Sequence, residues 1–337
     1  MRRTIPVLAG LLALQLLLAA LLGIRTDPLR GSAPDLPLLP ATVAAADHVV
    51  IESASAPGEP PETTRIELSR HGKGWTMDSY FGAPAVASRV DAMVGRLSGL
   101  KRGLPIATSA EALQRFRVAD QDYARRITFG QAGKTLGSVY LGNSAGVRSV
   151  DARSGADRVV YAVDYATYEI PIQPQEWLDG DLLHRRAEDL QAIDIDTGDH
   201  HPLRLERRAA PAGKAGGWDV KPPRPGQTLI EAQADELARS LANLHVDEVL
   251  GTDPKPEWQQ GHPLIVWTLT GADHGTETWT LSKPDGTDQY RVLKSSAHPW
   301  FFAISTSAAT PLLTASGHDA LFGTGAARPA PAGKSAH

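Results

Sequence analysis

The sequence predicts an α+β chain. It has two tandem repeats, each a mostly antiparallel sheet with one main covering helix, after an N-terminal transmembrane helix. Three observations lead there. An apolar run extends from Ile5 to Ile24 with only Gln15 polar. Two amphipathic helical stripes lie 144 residues apart, at Val86 and Ile230. Alternating strand patterns flank both stripes in the same order.

The apolar run comes first. Its 20 residues, at about 1.5 Å rise each, match a hydrocarbon core of about 30 Å. A cleavable signal is shorter and is closely followed by small residues. Here the run ends in Arg25, and the alanine run Ala44–Ala46 lies well downstream of it. Residues 1–25 are therefore expected to be an uncleaved anchor, with the lipid bilayer as a partner through residues 5–24. A short tail carrying Arg2 and Arg3 before a long body predicts a cytoplasmic N-terminus and an exported body. In a two-membrane bacterium this is a single-pass inner-membrane protein with a periplasmic body. Residues 26–46 carry Pro28, Pro34, Pro37 and Pro40 and are expected to be an extended tether. The Ala/Pro/Gly-rich residues 323–337 are expected to be a disordered tail.

The body follows as two repeats, 47–188 and 189–322. In the first, Val86, Val90, Met93, Val94, Leu97 and Leu100 form one helical face; Ile230, Ala234, Leu237, Ala238, Leu241 and Leu244 repeat the steps. Upstream, Val49 and Ile51 match Ile193 and Ile195, and Gly74-Trp75 matches Gly217-Trp218. Downstream, Ile127 and Phe129 match Trp267 and Leu269, and Val139 and Leu141 match Trp279 and Leu281. Residues 159–163 match residues 300–304. Separations stay between 137 and 144 residues, with length changes at Gly/Pro-rich turns. Trp267 and Trp279 take core positions. Trp300 and Phe302 point to one sheet face and Phe301 to the other, so a second cover is needed. The first repeat is the expected cover, and another protein the alternative.

Composition removes several functions. Lys+Arg 34 against Asp+Glu 38 gives −4, too balanced for a nucleic-acid face. With no cysteine, disulfides, thiolate metal sites and a Cys nucleophile are excluded. There is no Walker A loop, no His-Glu-x-x-His and no Gly-x-Ser-x-Gly elbow.

The anchor, the tether, the Gly-Trp hairpin, the helix VASRVDAMVGRLSGLK, then ITFG, SVYLGN and VVYAVD before Trp177-Leu178 resemble the domain-of-unknown-function family 4340. The second half resembles another copy. The resemblance implies a single-pass protein facing the periplasm. It also implies partners: an inner-membrane ABC-type permease, with its ATPase, and a gliding-motility-like auxiliary protein. It brings no catalytic residue.

The best polar cluster is Asp194, Asp196, Asp199, His200 and His201, whose carboxylates and imidazoles suit a divalent metal. The competing reading places Asp194 and Asp196 on the solvent side of a strand, Thr197-Gly198-Asp199 in a turn, and the His pair on opposite strand faces. On this reading no catalytic, cofactor or metal residue is assigned. Arg185, Arg186, Glu188 and Asp189 read as a solvated linker. The expected function is a non-enzymatic extracytoplasmic accessory subunit of an ABC-type export or gliding-motility-like membrane complex. The alternative is a periplasmic ligand- or glycan-binding module using the groove between the repeats, with Trp258 or Trp300 as stacking platforms. A metal-dependent hydrolase ranks last.

Overall fold

The computed structural model describes residues 36–55, 63–146, 148–198, 202–209, 216–223 and 226–323. The expected anchor at 1–25 and nearly all of the expected tail lie outside the described residues. Among the described residues no helix is long and apolar enough to cross a membrane.

The chain opens with β1 (His48–Ala54), β2 (Thr63–His71), β3 (Gly74–Met77) and β4 (Ala83–Ala85). Helix α1 (Ala87–Ser98) leads to β5 (Pro105–Ala107) and a short α2 (Ala110–Arg115). Four strands follow: β6 (Arg125–Gln131), β7 (Lys134–Gly146), β8 (Ser149–Ser154) and β9 (Val160–Asp164). The series then recurs as β10 (Ala192–Asp196), β11 (Leu203–Arg207), β12 (Trp218–Lys221) and β13 (Thr228–Leu229). Next come α3 (Glu231–Ala242), β14 (Glu248–Gly251), β15 (Ile265–Thr270), β16 (Thr276–Ser282), β17 (Tyr290–Ser295) and β18 (Phe301–Ser305). The end is α4 (Thr306–Ala315), α5 (His318–Leu321) and β19 (Phe322–Gly323).

The strands form two large antiparallel sheets. The first runs β4-β3-β2-β1-β6-β7-β8-β9-β5 and the second β12-β11-β10-β15-β16-β17-β18-β14. From β3 to β5 the first order is the second order in matching labels, so the architecture is repeat-like. Strands β5 and β14, which follow the two main helices, are edge strands paired with β9 and β18. Each is three or four residues long, too short for a periodic signal.

The pairing registers correspond as well. Val49 faces Phe129 and Ile51 faces Ile127; Ile193 faces Leu269 and Ile195 faces Trp267. Ile127 then faces Val139, and Trp267 faces Trp279. All are buried, and each large apolar side chain contributes about 1.5–3 kcal/mol on burial. The tryptophans bury a polar edge with its partner: Trp267 Nε1 donates to Ser316 Oγ at 2.9 Å. Helix α1 buries Val90, Met93, Val94 and Leu97, and α3 buries Ala234, Leu237, Ala238 and Leu241. Ile230, expected to start the second stripe, precedes the helix and is exposed.

Two compact units divide the chain. Unit 1 takes residues up to Arg65 and Ser88–Ile172; unit 2 takes Ile66–Ala87 and residues from Gln173 onward. In unit 1, the second half of the expected tether is packed. Leu38, Leu39 and Val43 are buried, Ala41–Ala45 forms a 3-10 turn, and Leu38 N–H donates to Leu100 O at 2.8 Å. The leucines between the prolines supply apolar area that an extended linker would leave in water.

In unit 2, the cover over Phe301 is the unit's own 256–258 turn, a different source from either one expected. Trp258 packs on Phe301 with ring centroids 4.8 Å apart, and Val292 completes the cluster. Trp258 is thereby buried, and Trp300 is half-buried with its Nε1 donating to Phe81 O at 2.8 Å. The Trp258 ring is therefore not a free platform. Arg185 is not solvated either. It donates to Glu277 Oε2 at 2.5 Å and lies over Trp279.

Candidate functional site

The predicted metal cluster is not assembled among the described residues. Arg204 faces Asp194 across β10 and β11, and its Nη1 donates to Asp194 Oδ2 at 2.6 Å. Asp196 Oδ1 accepts from Gly198 N–H at 2.8 Å, closing the turn where Gly198 has φ +75°. Asp199, His200 and His201 lie outside the described residues. Among the described residues no group of three or more His, Asp or Glu side chains is placed to hold a metal.

A different site emerges in unit 1, on the sheet face opposite Val139 and Leu141. There Tyr140 of β7 faces Arg153 of β8. Residues 108–124 cross over this face. Ser109 Oγ accepts from Ala112 N–H and starts α2. Arg117 then turns the chain in the left-handed region, φ 55°. Its guanidinium holds the turn by donating to Ala54 O at 3.0 Å, Ser55 O at 2.6 Å and Tyr123 O at 3.2 Å. Val118, Tyr123, Tyr140 and Val160 close into a small second core. Gly142 permits it: a Cβ there would sit 1.9 Å from Phe116 O.

Arg153 is the centre of this arrangement. Its side chain is only 4% exposed. Nε donates to Val118 O at 2.6 Å, Nη1 to Asp157 O at 3.1 Å and Nη2 to Asp120 Oδ1 at 2.5 Å. The guanidinium carbon stands 4.1 Å from the Tyr140 ring centroid. These bonds engage three of its five N–H donors. The Arg153 hydrogen bond holds the Asp120 carboxyl below the usual carboxylate range. A cleft of about 380 Å³ opens beside it, lined by Thr108, Gln114, Asp120, Arg153, Asp157 and Arg158 among others.

The second sheet fills the corresponding space. Lys294 faces Thr280 as Arg153 faces Tyr140. Its Nζ donates to Ser295 O at 3.1 Å and to His298 O, and lies over Phe301. Burial pushes the Lys294 amine below its ordinary pKa. Val118 and Val160 stand where the second repeat has Trp258 and Phe301, at offsets of 140 and 141 residues. Smaller side chains leave room where aromatic rings close it.

Asp151 lies two residues before Arg153 on the same strand face. It is 5% exposed, and its carboxylate has no hydrogen-bond or ion-pair partner among the described residues. Burial pushes its carboxyl upward. Its register partner is Ala162; in the second sheet Val292 faces Ala303. Sequence reasoning missed this face, because Arg153, Asp120 and Asp157 form no spaced motif. The one available signal was the replacement of Val292 by a carboxylate.

Comparison with known proteins gives one match. The family model described as Domain of unknown function (DUF4340) matches residues 75–261, more than half of the chain. No curated protein and no solved structure matches it.

Proposed function

The chain belongs to the family Domain of unknown function (DUF4340), and from that premise we propose that it is a non-enzymatic, extracytoplasmic accessory subunit of an ABC-type export or gliding-motility-like membrane complex. The observation behind this reading is the pairing of a 20-residue apolar run with a two-sheet body whose buried charges hold structure together. Glu52 accepts from Arg126 at 2.6 Å and from Arg65 at 3.0 Å. Arg185 binds Glu277, and Arg207 binds Asp235 at 2.9 Å. Such a body offers surface, and an anchor would raise its effective concentration beside a membrane partner.

The reading places residues 5–24 in the bacterial inner membrane, with the N-terminus cytoplasmic and the body periplasmic. Alkaline phosphatase fused to the C-terminus should be active; an inactive fusion overturns the topology. Purification of the full chain in mild detergent should recover a permease. A monomer free of any co-purifying membrane protein overturns the accessory role.

One observation favours a second reading, a periplasmic ligand-binding module. It is the cleft beside Arg153, whose two arginines and polar rim suit a small polar ligand. Titration calorimetry of the full chain with envelope-derived glycans and acids, repeated on Arg158→Ala, separates the two. A metal-dependent hydrolase stays last, since Arg204 occupies Asp194.

A further inference from the structure

The N-terminal margin of unit 1 carries exposed apolar side chains in one place. Leu36 is 51% exposed, Leu104 59% and Ile106 43%. Distant in sequence, Leu36 and Leu104 are brought together by backbone bonds. Arg102 N–H donates to Leu36 O at 2.8 Å, and Pro37 bridges to Lys101. Arg102 Nε also donates to Pro37 O at 3.2 Å. Gly103 fixes the approach on the other side: a Cβ there would lie 2.0 Å from Ala162 O. Strand β5 then pairs with β9 through Pro105 and Ala107, and forms the sheet edge.

We propose that this margin, Leu36 with Lys101, Arg102, Leu104 and Ile106, rests on the surface of the bilayer and prefers anionic phospholipid headgroups. The proposal rests on the reading of residues 5–24 as an anchor. Three features select the occupant. The described chain begins at Leu36, inside the patch, and eleven residues separate it from Ile24. Even fully extended they reach only about 40 Å, so the membrane is within range of this margin. The apolar side chains are interleaved with Lys101 and Arg102, and Arg25 and Arg30 lie on the connecting segment. Apolar side chains flanked by cations are the composition that the headgroup region accepts. Finally, β5 is three residues long with Pro105 in it, and proline at a short edge strand disfavours an added protein strand. Asp157, 3.7 Å from Arg102, offsets part of the positive charge.

The lack of cysteine makes the test direct. The full chain carrying Leu104→Cys or Ile106→Cys is labelled with an environment-sensitive fluorophore and reconstituted in phosphatidylcholine vesicles, with and without phosphatidylglycerol. The expected result is blue-shifted emission, quenching by spin-labelled phospholipid and protection from aqueous iodide. Phosphatidylglycerol should strengthen the quenching, and Lys101→Glu should weaken it. Labels at both positions that iodide reaches and lipid quenchers do not overturn the proposal. Quenching indifferent to phosphatidylglycerol and to Lys101→Glu overturns the headgroup preference. Alkaline carbonate extraction separates the two levels. Release of the chain removes the anchor reading and the proposal with it; retention with water-exposed labels removes the proposal alone.

Discussion

Arg207 lies face-on over Trp218, its guanidinium carbon 4.0 Å from the ring centroid, and the two residues are register partners across β11 and β12. Arg70 lies over Trp75 at 4.6 Å from the matching register of β2 and β3. A cation over an indole at the same point of both sheets is a shared construction element. In the second, Asp235 Oδ1 accepts from both Arg207 Nη1 and Trp218 Nε1 at 2.9 Å.

Asp235→Ala should therefore destabilise the protein by about 2 kcal/mol, the usual effect of losing hydrogen bonds to a charged group. Arg207 is 8% exposed and its Nε already lacks a partner, so little water can replace the carboxylate. Urea unfolding measures it. Glu236→Ala breaks only an exposed pair with Arg239 and should change stability by less than about 0.5 kcal/mol.

Acid should weaken unit 2 through Glu277. Burial raises its carboxyl pKa, but hydrogen bonds from Ser295, Arg185 and Trp279 outweigh burial and leave it below the usual value. A depressed carboxyl stabilises the fold fully above its unfolded pKa of about 4.3, and that contribution is lost as pH falls through the folded value. Glu277→Gln should cost about 2 kcal/mol at neutral pH and flatten the acid limb of a stability–pH profile. An unchanged acid limb counts against the assignment.

Asp151 has the opposite sign. Its raised pKa means that folding is penalised once the pH exceeds the folded value, with no penalty below the unfolded one. Asp151→Val, the residue at the matching position of the second sheet, should stabilise the chain at neutral pH by about 1 kcal/mol. The gain should vanish in acid. Thermal unfolding at two pH values is sufficient.

Gly142→Ala should disturb the cover over Arg153. The new methyl would meet Phe116 O at 1.9 Å and Val118 Cγ1 at 2.8 Å. Overpacking against backbone costs about 1–3 kcal/mol. Hydrogen exchange should rise at residues 110–123 before it rises in β6 and β7. Uniform protection throughout would show that the segment adapts.

Much of the scaffold was legible in residue order. Val90, Met93, Val94 and Leu97 declared a buried helical face, and Trp267 and Trp279 declared core positions by matching Ile127 and Val139. Arg185 looks solvated in the sequence because its partner, Glu277, lies 92 residues away. Leu38 and Leu39 look like tether in the sequence because prolines surround them. The cleft at Arg153 was illegible, since it depends on which segment crosses the second sheet face.

By itself the sequence determined the α+β class, the doubled pattern and the buried side of each helix, because periodicity is a local property that burial imprints on neighbouring residues. The tertiary structure alone decided where the short edge strands join, which turn shields Phe301, and that Arg153 borders a cleft. Those outcomes follow from long-range contacts, in which the volume and charge of distant side chains select one arrangement.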